Sequence, residues 1–282
     1  MLMFEYPVRR WFWFSLITAL AVLALEFIVG WIGVVLFAFS FLPMLGIVAA
    51  VAYPLFVFLI VIFWLIASDF MGAFRAPVIW VEDAYSFDSL LARAVRLAER
   101  MRVKFDRLGV ASSSALNAFT YGVFRPKIVV YKGLLEKFTR EEVNFVVAHE
   151  LGHIKHRWVW LLYSMANASV ILPLFMPLIV RVFFYLVFIP ARFALLWFSR
   201  ECEYIADREA VLATGNLAAA ISALIKLGRA KGLDVDLSRL SERDLVEKVV
   251  GDAVASLSTH PLIKRRIREL LKVYGSGFSK NL

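Results

Sequence analysis

Between Trp11 and Ala67 the chain carries a single formal charge, Glu26, and no other feature limits the possible folds so sharply. A soluble domain cannot bury so long an apolar run. About 20 helical residues span the hydrocarbon core of a bilayer, so this run has the length for two crossings. Backbone polar groups in lipid must be satisfied within the chain, which favours helices. Ser40, Pro43 and Gly46 mark the expected break between the two. A signal peptide has a far shorter apolar region. A pair of crossings returns the chain to its starting side, and Arg9 and Arg10 identify that side as the cytoplasm. Glu26 inside the first span reads as a paired or interface-facing structural acid, with a functional intramembrane acid as the rival reading.

Trp158–Phe198 is a second apolar stretch, interrupted by Arg181 and Arg192. It suffices for a hairpin of two short spans turning near Arg181, flanked at its base by Arg157 and Arg200. Arg192 lies near the end of the stretch, where it can snorkel to the interface. Pro173, Pro177 and Pro190 kink these spans, and a re-entrant pair is the rival arrangement. The expected organisation is a hairpin over 1–67, a polar segment over 68–157, a second hairpin over 158–198 and a polar segment over 199–282. Composition agrees, with 61% hydrophobic residues. The net charge of +9 comes with no nucleic-acid motif, so it reads as positive flanks beside a bilayer and excludes a nucleic-acid partner. Cys202 is the single cysteine; no disulfide framework exists, which fits a reducing compartment.

The polar segments read as a small α+β unit. Phe87–Arg102 has helical periodicity, with Leu90, Leu91, Ala94, Val95 and Leu97 on one side. Leu116–Tyr121 and Lys127–Tyr131 are strands, separated by Gly122 and Pro126. Thr139 followed by Glu142 forms a capping box that opens a helix through Arg157, with Val143, Val146, Val147 and Leu151 at helical spacing. Beyond the second apolar stretch, Ser199 is expected to cap a helix ending at Thr214 and Gly215. Asn216 starts another through Arg229, Ser241 and Asp244 open a third, and Pro261 stands in the first turn of a fourth. Gly275–Ser279 reads as a frayed tail.

The helix after Thr139 carries His149-Glu150-Leu151-Gly152-His153. Two histidines four apart lie one turn above each other, so both imidazoles can reach one metal ion. Glu150 between them can act as general base on the metal's water. A catalytic zinc site needs a third protein ligand. The remaining histidines are His156 and His260. His156 stands two turns, roughly 10 Å, along from His149, too far for one ion to join both with His153. A carboxylate is then required, and Glu201, Glu203, Asp207 and Glu209 follow the second apolar stretch. Glu203 and Asp207 share a helical face. Spacing alone leaves two readings level: a metal ligand with a partner that orients a histidine, or a charged solvated face.

Ser199-Arg200-Glu201-Cys202-Glu203-Tyr204-Ile205-Ala206-Asp207 resembles the E-Y-x-A-D element of the HtpX-type membrane zinc proteases, relatives of the CAAX prenyl proteases. Asn117-Ala118-Phe119 with Gly122 is similar to that family's N-A-F strand. Gly133-Leu134-Leu135 with Glu141-Glu142 resembles its approach to the motif helix, and Ser258-Thr259-His260-Pro261 with Arg266-Ile267 its T-H-P and R-I element. The resemblance covers most of 68–282, in order. It implies one zinc ion held by His149, His153 and Glu203, with Glu150 as base. Asp207 would orient a histidine ligand, His260 would donate to the oxyanion, and Arg266 would be structural. Asn117, Ala118 and Phe119 would form an edge strand that pairs with an extended substrate. Cys202 is not counted as a ligand.

The implied protein is predominantly α: two transmembrane hairpins and a small zincin-like α+β catalytic domain in the cytoplasm, split by the second hairpin. Both termini would be cytoplasmic. Its expected activity is cleavage of exposed segments of misfolded membrane proteins beside the lipid bilayer, as quality control. The rivals are a prenyl-protein protease and a non-enzymatic membrane scaffold or transporter.

Overall fold

The computed structural model describes residues 10–71, 77–81, 87–157, 178–230 and 263–278. Its contacts divide the chain into two units, one formed by 1–67 with 158–201 and the other by 68–157 with 202–282.

In the first unit, α1 (Arg10–Phe41) and α2 (Pro43–Met71) meet at the expected break. They contain apolar spans of 30 and 25 residues, Phe12–Phe41 and Pro43–Ala67, longer than the roughly 20 residues a bilayer demands. Only 17% and 11% of their most apolar windows are buried. A core helix of a soluble domain would be mostly covered, so these apolar faces suit lipid instead. Trp31 Nε1 donates to the Ala50 carbonyl at 2.9 Å, and Phe27 packs on Tyr53. Phe12 and Phe14 pack against Phe198 and Trp197. Glu26 is buried.

The second unit is built on a four-stranded sheet: β1 (Val78–Trp80), β2 (Arg107–Ala111), β3 (Ala118–Tyr121) and β4 (Lys127–Tyr131). The strand order is β1-β2-β4-β3, so β3 is an edge. β4 is central, parallel to β2 and antiparallel to β3. Its Ile-Val-Val run is apolar on both faces, as a covered strand requires. Ile128 and Val130 enter the main core, while Val129 joins Ala111 and Tyr121 on the other face. The helices α3 (Asp88–Met101) and α5 (Arg140–Lys155) follow the periodicity, and a short helix that the pattern did not announce, α4 (Lys132–Lys137), lies between them. Leu90, Ala94 and Leu97 of α3 are buried as expected, but Val95 is exposed, because the stripe follows the i, i+4, i+7 face only. The first strand expected from Leu116 begins its ladder two residues later, although the Asn117 carbonyl still accepts from Tyr131 N at 3.0 Å.

Three later helices complete the described residues: α6 (Leu178–Thr214), α7 (Leu217–Ala230) and α8 (Ile263–Phe278). Ser199 does not cap a helix. It lies inside α6, since no turn interrupts the chain between the apolar stretch and the acidic segment. Arg181 stands in the first turn of α6, and the residues before Leu178, where a turn near it would fall, lie outside the described ones. Gly215, at φ 68°, ends α6 in the left-handed conformation that suits glycine. Asn216 Oδ1 then accepts from Ala219 N at 2.9 Å and starts α7 as expected. Gly275 and Ser276 belong to α8 rather than to a frayed tail. Ser241, Asp244, His260 and Pro261 lie outside the described residues, as does 158–177 of the expected second hairpin.

Candidate metal centre

The capping box at Thr139 is present with both bonds: Glu142 N donates to Thr139 Oγ1, and Thr139 N donates to Glu142 Oε2. Glu142 also accepts from Ser222 and Lys226 of α7, each at 2.6 Å. Burial alone would raise the Glu142 pKa, but these donors hold it below its usual value. The start of α5 is therefore fixed to α7, and the helix buries nearly everything from Val143 to Gly152.

Gly152 explains how a second acidic helix reaches the histidines. A Cβ placed there would lie 3.0 Å from Ala206 Cα and 3.2 Å from Ala206 Cβ. The backbones of α5 and α6 approach this closely because one residue has no side chain and the other a single methyl. Glu203 and Asp207, a turn apart, are carried against the histidine pair.

The three donor groups converge. His149 Nε2 and His153 Nε2 are 3.1 Å apart, His149 Nε2 is 3.5 Å from Glu203 Oε2, and His153 Nε2 is 3.4 Å from Glu203 Oε1. Zinc bonds of 2.0–2.1 Å at the tetrahedral angle put ligand atoms about 3.3 Å apart. The observed triangle has those edges, and among the described residues it is the His, Cys, Asp and Glu group able to hold a metal ion. His149 and Glu203 are buried, whereas the His153 side chain is 24% exposed, so the centre opens on the His153 side. Cys202 is buried and is not in the group. His156 is buried at the end of α5, 3.7 Å from Glu209, which Lys155 also contacts at 2.8 Å.

Asp207 Oδ1 lies 2.9 Å from His149 Nδ1, which fixes the tautomer with Nδ1 protonated and leaves Nε2 as a lone-pair donor. Arg266 of α8 grips the same aspartate with two bonds, Nε to Oδ2 at 2.7 Å and Nη2 to Oδ1 at 2.6 Å. Its Nη1 reaches Glu203 Oε2 at 3.1 Å. Arg266 thus holds both acids at once. Burial disfavours its charge, but Asp207 and Glu203 raise its pKa. Burial would also raise the Asp207 pKa, yet Arg266 and His149 hold it below its usual value. For His149, burial and then Arg266 oppose protonation. Asp207 and Glu203 outweigh them and raise its pKa to about 9.

Glu150 is buried, and Thr120 Oγ1 of β3 donates to its Oε2 at 2.9 Å. Sequence reading did not single out Thr120; its place one residue after the N-A-F triplet was the available hint. Ala118 packs toward the main core with α5, and Phe119 faces Tyr121 and Tyr131 on the other side of the sheet.

The sequence model of Peptidase family M48 matches residues 84–273. A "Protease HtpX homolog" of Bacteroides fragilis is 30% identical over 207 residues, covering 58% of this chain and 62% of that relative's length. One of Neisseria meningitidis is 30% identical over 213 residues, with 67% and 72% covered. A "Plastoglobule-localized metallopeptidase 48, chloroplastic" of Arabidopsis thaliana is 30% identical over 193 residues, with 62% and 54% covered. The crystal structure of S. mikatae Ste24p resembles 92% of this chain and 66% of that one, with a TM-score of 0.56 at 20% identity. At that identity the likeness is one of fold.

Proposed function

The chain belongs to Peptidase family M48, and on that premise we propose that it is a membrane-bound zinc endopeptidase. The observation that carries the reading is the triangle of His149, His153 and Glu203, whose edges of 3.1, 3.5 and 3.4 Å fit one tetrahedral ion. When bound, zinc supplies a Lewis acid that acidifies water and polarises a peptide carbonyl. Asp207 keeps the Nδ1 proton of His149, so that its Nε2 lone pair would be available to the ion. Glu150 takes the proton of the attacking water and delivers it to the leaving amine. Thr120 ties down Oε2 of that carboxylate and leaves Oε1 for the proton. His260 is assigned to donate a hydrogen bond to the developing oxyanion. The outer edge of β3, at Asn117, Ala118 and Phe119, is assigned to an extended substrate by main-chain pairing, which gives broad specificity.

In this reading the substrates are exposed segments of misfolded membrane proteins, cleaved at the cytoplasmic face of the bilayer. The supports are the two apolar spans and the short distance in sequence between His153 and the apolar stretch that starts at Trp158. The decisive experiment compares purified wild type with Glu150→Gln on an unfolded protein such as casein. The variant should bind zinc fully and cleave at least about a hundredfold more slowly. Cleavage that survives both Glu150→Gln and a chelator would overturn the reading. Selective cleavage of a prenylated peptide, with casein untouched, would replace it with a prenyl-protein protease.

A further inference from the structure

At the end of α5 far from the histidines in sequence, a cavity of about 330 Å³ opens between α3, α5 and the turn from α6 to α7. Arg93, Arg96 and Arg100 of α3 and Arg140 of α5 line it, with Glu141 and Asn144. The α3 arginines follow an i, i+3, i+7 stripe, so the helix turns three guanidiniums into one concavity. Like charges so placed repel, and the Arg93 pKa is lowered by burial first and then by Arg140 and Arg96. Glu141 is the one carboxylate in the lining. Arg100 is committed elsewhere, donating to the Ala213 carbonyl at the end of α6. Arg93, Arg96 and Arg140 form no ion pair among the described residues, and Arg93 Nε is buried without an acceptor. Buried donors in folded proteins rarely lack one. Arg140 also opens α5, where the helix N-terminus adds positive potential.

We propose that this cavity is a binding site for a phosphate-bearing anion of at least two negative charges. Guanidinium forks match phosphate oxygens in pairs. The volume lies at the lower end of the range for small-molecule pockets, about 300–1,000 Å³, which fits a diphosphate group or a phospholipid headgroup. The site uses none of the metal-centre residues, so it stands independently of the proteolytic reading.

The probe is inorganic pyrophosphate, titrated calorimetrically into the full chain in neutral detergent at low salt. Saturable binding of one equivalent is expected. The exposed residues Arg96 and Arg140 can be changed without disturbing the core. Arg96→Gln and Arg140→Gln should each weaken binding about ten- to a hundredfold. Lys132→Gln, outside the cavity lining with a side chain 63% exposed, should leave it unchanged. Binding should persist in Glu203→Ala, which separates the site from chelation at the metal centre. Displacement of pyrophosphate by short-chain phosphatidylglycerol would support the site with a lipid headgroup as its source. Failure of the lipid to displace bound pyrophosphate would support it with a soluble phosphate compound. Absence of saturable binding to wild type, or equal binding by the Arg96→Gln/Arg140→Gln double variant, would overturn the proposal.

Discussion

Replacing Gly152 with alanine adds one methyl group where α5 and α6 touch. The new Cβ would sit 3.0 Å from Ala206 Cα, 3.2 Å from its Cβ and 3.3 Å from its carbonyl oxygen. Carbon contacts are comfortable at about 3.5–4.0 Å, so the helices must part by roughly 0.5 Å or more. Two effects on stability oppose each other. Alanine gains up to about 1 kcal/mol over glycine in a helix interior, while overpacking costs about 1–3 kcal/mol. The net destabilisation should therefore be small, about 0–2 kcal/mol. The metal centre has no such compensation. Ligand distances tolerate about ±0.2 Å, and the parting moves Glu203 away from both imidazoles. Zinc affinity should fall at least about tenfold, equivalent to roughly 1.4 kcal/mol. Competition against a chelator of known zinc affinity reads this, with thermal unfolding as the control for folding. A Gly152→Ala protein that binds zinc as tightly as wild type would refute the reasoning that close helix approach builds the site.

Thr120→Val removes the hydroxyl that donates to Glu150 at 2.9 Å while keeping the side-chain volume. A hydrogen bond to a charged group contributes about 1.5–3 kcal/mol; turnover should drop about tenfold or more with zinc content unchanged, and full turnover would remove Thr120 from the account. Acid should destabilise the fold in a defined direction. Burial opposes it, yet Lys226 and Ser222 hold the Glu142 pKa, and His156 and Lys155 that of Glu209, below the ordinary value of 4.5. Depressed carboxylate pKa values stabilise the folded state fully above the unfolded value and lose that contribution as pH falls through the folded ones. The melting temperature should therefore decline below about pH 4.5, and less steeply in Glu142→Gln; a slope unchanged in that variant would contradict the assignment.

Local rules made much of this protein legible in its sequence. The Thr139–Glu142 box and the histidine pair involve residues within one or two turns, so spacing alone places them. The break at Pro43 and the turn at Gly215 follow from backbone preferences of single residues. What escaped depended on distant pairing. Thr120 meets Glu150 because β3 lies against α5, and Arg266 meets Asp207 across 59 positions; no periodicity marks either partner. β1 is three residues long, too short to show alternation, and exists by pairing with β2. Ser199 misled because a serine at a composition boundary resembles a cap, whereas helical backbone continues wherever nothing stops it. The choice of Glu203 over its acidic neighbours came from resemblance, and the geometry gives the physical reason: Glu203 is the acid with an oxygen near each imidazole, and Asp207 backs the first of them.

The most direct test of that centre is the zinc content of purified wild type beside Glu203→Ala, measured by elemental analysis after dialysis. The account predicts about one zinc per chain in wild type and a near-complete loss in the variant. A full complement of zinc in Glu203→Ala would contradict it.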